Sequence, residues 1–140
     1  INDSKATNPA SAAPALGAFP PRPDRGNVRR LHWIVGGLPK SDNLDECAPF
    51  FSNVAVAYTI GEAGPMFARL LEPHMKVRRS EMLSEAIRQA IEAARPGDIV
   101  MLSPACASFD QFRDYEARGD AFRQIVEALT EAAHETGGTA

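Results

Sequence analysis

The sequence predicts an α/β domain with a mostly parallel sheet covered by helices on both faces. Three observations carry that expectation. Short apolar runs at Leu31–Val35, Val54–Tyr58 and Asp98–Leu102 alternate with stretches of helical periodicity. The run before Gly36 and Gly37 ends in a backbone-permissive loop, and Pro96-Gly97 separates a helix from the next strand. At 140 residues, the chain is long enough to bury one core and suits one domain over residues 1–140.

The elements follow in order. An opening Ile1-Asn2-Asp3-Ser4 reads as strand, with Asp3 and Lys5 on one side and Thr7 next if extension persists. Asn8-Pro9 starts a helix that runs to Leu16, because proline is tolerated in a first turn. Residues 19–30 are rich in proline and arginine and are expected to form a mobile surface loop. Leu31–Val35 is a buried strand, Leu44–Phe51 a short helix, Val54–Tyr58 a second strand and Gly64–Leu71 a second helix. Ser80 is the expected cap of a helix carrying Leu83, Ala86, Ile87, Ala90, Ile91 and Ala94 on one face. Asp98–Leu102 is the last strand, and a last helix begins near Gly119-Asp120 with Phe122, Ile125, Val126 and Leu129 inward. The ordered core is expected over 1–136, with a flexible tail over 137–140. Such alternation requires right-handed crossovers, and ligands then sit beyond the carboxyl ends of the strands.

Composition narrows the function. A formal charge of −3 disfavours binding to nucleic acid through phosphate attraction, and the cluster Arg22, Arg25, Arg29 and Arg30 reads as a solvated loop. No apolar stretch approaches the roughly 18 residues that a membrane span needs. Two distant cysteines, Cys47 and Cys106, point to a reducing compartment and a cytoplasmic protein, so the sequon Asn2-Asp3-Ser4 carries no weight. A chain opening on Ile1 in a strand-like segment reads as a piece of something longer.

Three segments converge on the carboxyl rim of the expected sheet: Asp3–Thr7, Gly36–Lys40 and Ala105–Ser108. Asp3 and Lys5 suit a nucleotide, the carboxylate accepting from ribose hydroxyls and the ammonium facing phosphate, although a surface ion pair would look the same. Lys40, Thr7 and Ser108, with backbone amides near Phe109 and Tyr115, suit a dicarboxylate; Lys40 on a glycine loop is otherwise a solvated cation. Asp110 stands where a helix N-cap is expected. Cys106 has no readable base nearby, and His32, His74 and His134 are scattered, so neither a thiol nucleophile nor a metal site is expected. The chain has no Gly-x-x-x-x-Gly-Lys-[Ser/Thr] phosphate loop.

Taken together, Asn2-Asp3-Ser4-Lys5-Ala6-Thr7-Asn8, Gly36-Gly37-Leu38-Pro39-Lys40, Pro96-Gly97-Asp98, Leu102-Ser103-Pro104-Ala105-Cys106-Ala107-Ser108-Phe109-Asp110-Gln111-Phe112 and Arg118-Gly119 resemble the C-terminal domain of the Mur ligase family. The resemblance is to the D-glutamate-adding branch, since the Asp-Asn-Pro-Arg pocket of the diamino-acid branch is absent. It implies a Rossmann-like three-layer domain of a monomeric, cytoplasmic, ATP-dependent ligase of peptidoglycan biosynthesis. That ligase joins D-glutamate to UDP-N-acetylmuramoyl-L-alanine through an acyl phosphate. An N-terminal domain would bind the uridine nucleotide, and a central domain would supply the phosphate loop and hold most of ATP and Mg2+. This piece would be inactive alone. By the same resemblance Asp3 would contact the ribose and Lys5 the phosphate or intermediate. Thr7 and Lys40 would hold the α-carboxylate of D-glutamate, and Ser108 with backbone at Phe109 and Tyr115 its side-chain carboxylate. Tyr115 stands where Phe is common, Ala12 replaces a frequent Thr, and the loop at 19–30 looks long. The competing reading is a stand-alone α/β nucleotide-binding or protein-interaction module without ligase activity; a Cys106-dependent enzyme is a third.

Overall fold

A computed structural model describes the backbone of residues 1–138 and the side chains of residues 1–131. The described residues contain a four-stranded sheet, β1 Leu31–Gly36, β2 Val54–Ile60, β3 Lys76–Glu81 and β4 Ile99–Leu102, in the order β3-β2-β1-β4. Every pairing is parallel, as β1↔β2, β1↔β4 and β2↔β3 all show. Helices α1 Pro9–Gly17, α2 Gly64–Leu71, α3 Leu83–Ala93 and α4 Tyr115–Gly138 cover it.

Alternation along the strands divides the core into two layers. Leu31, Trp33 and Val35 of β1 pack with Ala12 and Leu16 of α1 and with Phe67 and Leu71 of α2. Ile34 joins Tyr58 and Ile60 of β2, Leu83, Ala86 and Ile87 of α3 and Phe122 of α4 on the opposite face. All of β1 is buried, which is why it reads as a continuous apolar run. The three-layer α/β expectation is met.

Local chemistry sets most boundaries. Asn8 caps α1 by accepting from the Ser11 amide at 2.9 Å, with Pro9 at the first position. The Asn53 side chain donates to the Leu16 carbonyl at 3.0 Å, satisfying an acceptor in the last turn. α2 falls on the expected residues. The helix expected over Leu44–Phe51 is instead a 3-10 helix, Asp45–Asn53, with Pro49 inside it where an α-helical donor would be missing. Within the proline-rich loop, Pro23–Arg25 forms a 3-10 turn and Arg22 pairs with Asp24 at 2.8 Å.

Four expectations are corrected. The opening strand is a single bridge, Asn2↔Leu102, flanked by bonds from Leu102 to Ile1 at 2.9 Å and from Asp3 to Leu102 at 2.7 Å. Extension stops there: the Ala6 amide returns to the Asp3 carbonyl at 2.9 Å, so Lys5 lies in a turn and does not share a strand face with Asp3. Ser80 caps nothing; it belongs to β3 and donates to Gln89 at 2.6 Å, while α3 starts at Leu83 without a side-chain cap. Asp110 is not the cap of the last helix either. That helix begins at Tyr115, and Asp114 accepts from the Ala117 amide at 2.7 Å. α4 runs to Gly138, and of the tail expected over 137–140, residues 139 and 140 lie outside the described residues.

Candidate functional site at the carboxyl edge

The strand order reverses between β1 and β4, which makes a crevice at their carboxyl ends. The loops that leave those ends are stitched together. Gly36 donates to the Pro104 carbonyl at 2.9 Å, and Leu38 and Ala107 exchange bonds of 2.9 and 3.0 Å. Gly36 and Gly37 hold φ of 128° and 136°, and a Cβ on Gly36 would lie 2.9 Å from the Ile60 nitrogen. Only glycine admits that approach without displacing backbone.

This stitching places Lys40 beside Thr7, and the Lys40 ammonium donates to the Thr7 hydroxyl at 3.1 Å. A hydroxyl that accepts from an ammonium keeps its own proton free to donate outward. Ser108 stands one residue beyond the Leu38–Ala107 bridge, only 2 % exposed, and its hydroxyl has no partner among the described residues. A buried hydroxyl without a partner costs stability. The ammonium and two hydroxyls suit carboxylate oxygens.

Around this centre the remaining residues take different positions. The Asp3 carboxylate accepts from Ser103 at 2.7 Å. Asp3 and Lys5 border an open hollow of about 340 Å³ with Ala6 and Ser11, the chemistry of which suits a ribose and a phosphate. Phe109 is 68 % exposed, and Tyr115 uses its carbonyl to accept from Ser4 at 2.7 Å. Asp110 accepts from the Glu62 amide at 2.9 Å and Gln111 donates to the Glu81 carbonyl at 3.0 Å, pinning the loop across the ends of β2 and β3. Among the described residues no cluster of His, Cys, Asp and Glu could hold a metal ion. The Cys106 thiol is buried, and burial pushes it up to about 12 against the opposing pull of Arg118 and Lys40. It is therefore a thiol, not a thiolate, at neutral pH.

The sequence singles out Arg118 only as part of the Arg118-Gly119 motif, with no role at the site. Arg118, 1 % exposed, donates to the Ser4 carbonyl at 2.7 Å, the Ser4 hydroxyl at 2.9 Å and the Cys106 carbonyl at 2.9 Å. The signal was available: stepping back by four from Phe122 on the inward face of α4 reaches Arg118.

A family model described as Mur ligase, glutamate ligase domain, matches residues 1–106. Curated relatives extend the similarity through Ser108 and Tyr115. A UDP-N-acetylmuramoylalanine–D-glutamate ligase of Novosphingobium aromaticivorans is 74 % identical over 131 residues, 94 % of this chain and 28 % of that protein. The ligase of the same name from Sphingopyxis alaskensis is 61 % identical over 128 residues, covering 91 % of the chain and 29 % of the relative. That of Zymomonas mobilis is 54 % identical over 130 residues, covering 92 % and 27 %. The chain thus spans little more than a quarter of the relatives it matches. With that match and the Gly36–Lys40 and Ala105–Ser108 loops joined at the switch point, the chain belongs to the glutamate ligase domain family of the Mur ligases.

Proposed function

We propose that this chain is the amino-acid-holding domain of a cytoplasmic, ATP-dependent ligase that joins D-glutamate to UDP-N-acetylmuramoyl-L-alanine in peptidoglycan synthesis. What supports the reading is the Lys40–Thr7 hydrogen bond, together with the Leu38–Ala107 pairing that sets the loop carrying Lys40 beside the loop carrying Ser108. Lys40 and Thr7 take the α-carboxylate. Ser108, with amides at Phe109 and Tyr115, takes the side-chain carboxylate, which leaves the amine as the one polar group facing outward. Holding both carboxylates fixes the amine's direction of attack, a contribution of orientation and electrostatics. Asp3 and Lys5 would hold the ribose and phosphates of ATP at the neighbouring hollow. ATP supplies the phosphoryl group that activates the acceptor carboxylate, and the phosphate loop and Mg2+ ligands belong to other domains of the parent enzyme.

The test is a graft in which this chain replaces the matching stretch of the Novosphingobium ligase. The expected result is phosphate release that depends on D-glutamate and not on L-glutamate. Lys40→Ala should raise the KM for D-glutamate by roughly 10- to 100-fold, the loss of a charged hydrogen bond. A folded graft without D-glutamate-dependent turnover would favour a nucleotide-binding or interaction module instead.

A further inference from the structure

Beneath the glycine loop at Gly37 lies a cation that is only 1 % exposed. The Arg118 guanidinium bonds only to neutral oxygens, those of Ser4 and Cys106, and forms no ion pair among the described residues. A Cβ added to Gly37 would lie 3.3 Å from its Nη1. Burial lowers its pKa to about 10, and the group stays cationic at neutral pH. An apolar side chain of similar volume would be cheaper to bury for stability alone. What the guanidinium does is bond two segments, at Ser4 and Cys106, and lie under a third at Gly37, adding a buried tie to the Lys40–Thr7 and Leu38–Ala107 contacts. The turn at Ser4 leads to Thr7, Cys106 leads to Ser108, and Gly37 leads to Lys40.

We infer that Arg118 is a positioning residue for the dicarboxylate: its buried fork spans Ser4 and Cys106 beneath Gly37, setting Thr7, Lys40 and Ser108 at a fixed spacing, and its unpaired charge favours a dianion above it. This rests on the reading given under Proposed function. The planar fork is essential to the role, because a lysine in the same place keeps the charge but cannot bond Ser4 and Cys106 in parallel.

The experiment uses the grafted ligase with Arg118→Lys and Arg118→Met, reading KM for D-glutamate, KM for UDP-N-acetylmuramoyl-L-alanine, kcat and melting temperature. Arg118→Met should raise the D-glutamate KM roughly 10- to 100-fold while the KM of the uridine substrate stays within about twofold. Arg118→Lys should fall between that variant and the parent graft. A merely structural role predicts another pattern: lowered melting temperature and less active enzyme, with both KM values unmoved or moving together. If Arg118→Met does not fold, Arg118→Lys decides alone, and an unchanged D-glutamate KM in it overturns the inference. An inactive parent graft would bring down the functional reading and this inference together, whereas an active graft indifferent to Arg118→Lys would bring down this inference only.

Discussion

Replacing Ser108 by Ala separates stability from binding at one atom. The residue is 2 % exposed and its hydroxyl oxygen is buried with no partner among the described residues. An unmet hydroxyl in such a place costs about 1–3 kcal/mol, and alanine keeps the Cβ, so little new space opens. The neighbouring turn does not depend on the side chain: the Gln111 and Phe112 amides bond the Ser108 carbonyl at 3.1 and 2.8 Å. Ser108→Ala should therefore stabilise the chain by about 1 kcal/mol, or about 3–5 °C in Tm at this size. In the grafted ligase the same change removes a hydrogen bond to a charged ligand, worth about 1.5–3 kcal/mol, which raises the KM for D-glutamate roughly 10- to 150-fold. Urea unfolding of the chain and steady-state phosphate release by the graft measure the two halves. A variant less stable than the parent would show that the hydroxyl is already satisfied, and an unchanged KM would remove Ser108 from the pocket.

Two further changes probe the rim and the core. Gly36→Ala puts a Cβ against the Ile60 backbone at φ 128°, whereas Gly26 at φ 74° has nothing within 4 Å, so Gly36→Ala should cost at least ~2 kcal/mol and Gly26→Ala about half as much or less. Equal costs in urea unfolding would refute the steric account. Burial pushes the Cys47 and Cys106 thiols, ordinarily near 9.0, up to about 12. The unfolded chain therefore gives up these protons first, and the associated stability is complete below about pH 9 and is lost as the pH rises toward 12. Unfolding midpoints should fall across that window less steeply in Cys47→Ala/Cys106→Ala than in the parent, and parallel profiles would argue against the shift.

Sequence patterns reveal an element when its own side chains report its surroundings. β1 and β2 are buried on both faces and stand out as apolar runs, and α2 and α3 carry amphipathic faces. β3 has no such signature. As an edge strand reading Lys76-Val77-Arg78-Arg79-Ser80-Glu81, it is mostly exposed, and the charges that protect its open edge also disguise it as loop. That is why Ser80 looked like a cap. The apolar pattern puts the start of the last helix too late because Arg118 interrupts the apolar face, although it is buried there. Thr7, Lys40 and Ser108 were legible through their motifs. Their spacing was not, because it depends on contacts such as Leu38–Ala107 and Arg118–Ser4, which join residues 69 and 114 positions apart.

Each end of the sheet leaves one buried polar atom unmet among the described residues, Arg30 Nε at the amino edge and the Ser108 hydroxyl at the carboxyl edge, but their other polar groups are arranged differently. At the amino edge, His32 is held between Tyr58 and Asp98 at 2.9 Å on each side, and Asp98 also accepts from the Arg95 amide at 3.0 Å. That network is closed on itself, and burial pushes the Tyr58 hydroxyl up to about 12, keeping it a neutral partner. At the carboxyl edge, Ser108 is left unmet and two non-glycine residues, Glu81 and Ala105, hold φ of 68° and 58°. Backbone held in the left-handed region costs on the order of 1–3 kcal/mol per residue and persists only where the surrounding structure imposes it. The well-packed layers around β1 supply that constraint, so the strained loops can be held open without collapsing onto their own polar groups. On the reading proposed above, a carboxylate would meet the Lys40–Thr7 pair at this edge and would give the buried Ser108 hydroxyl a partner.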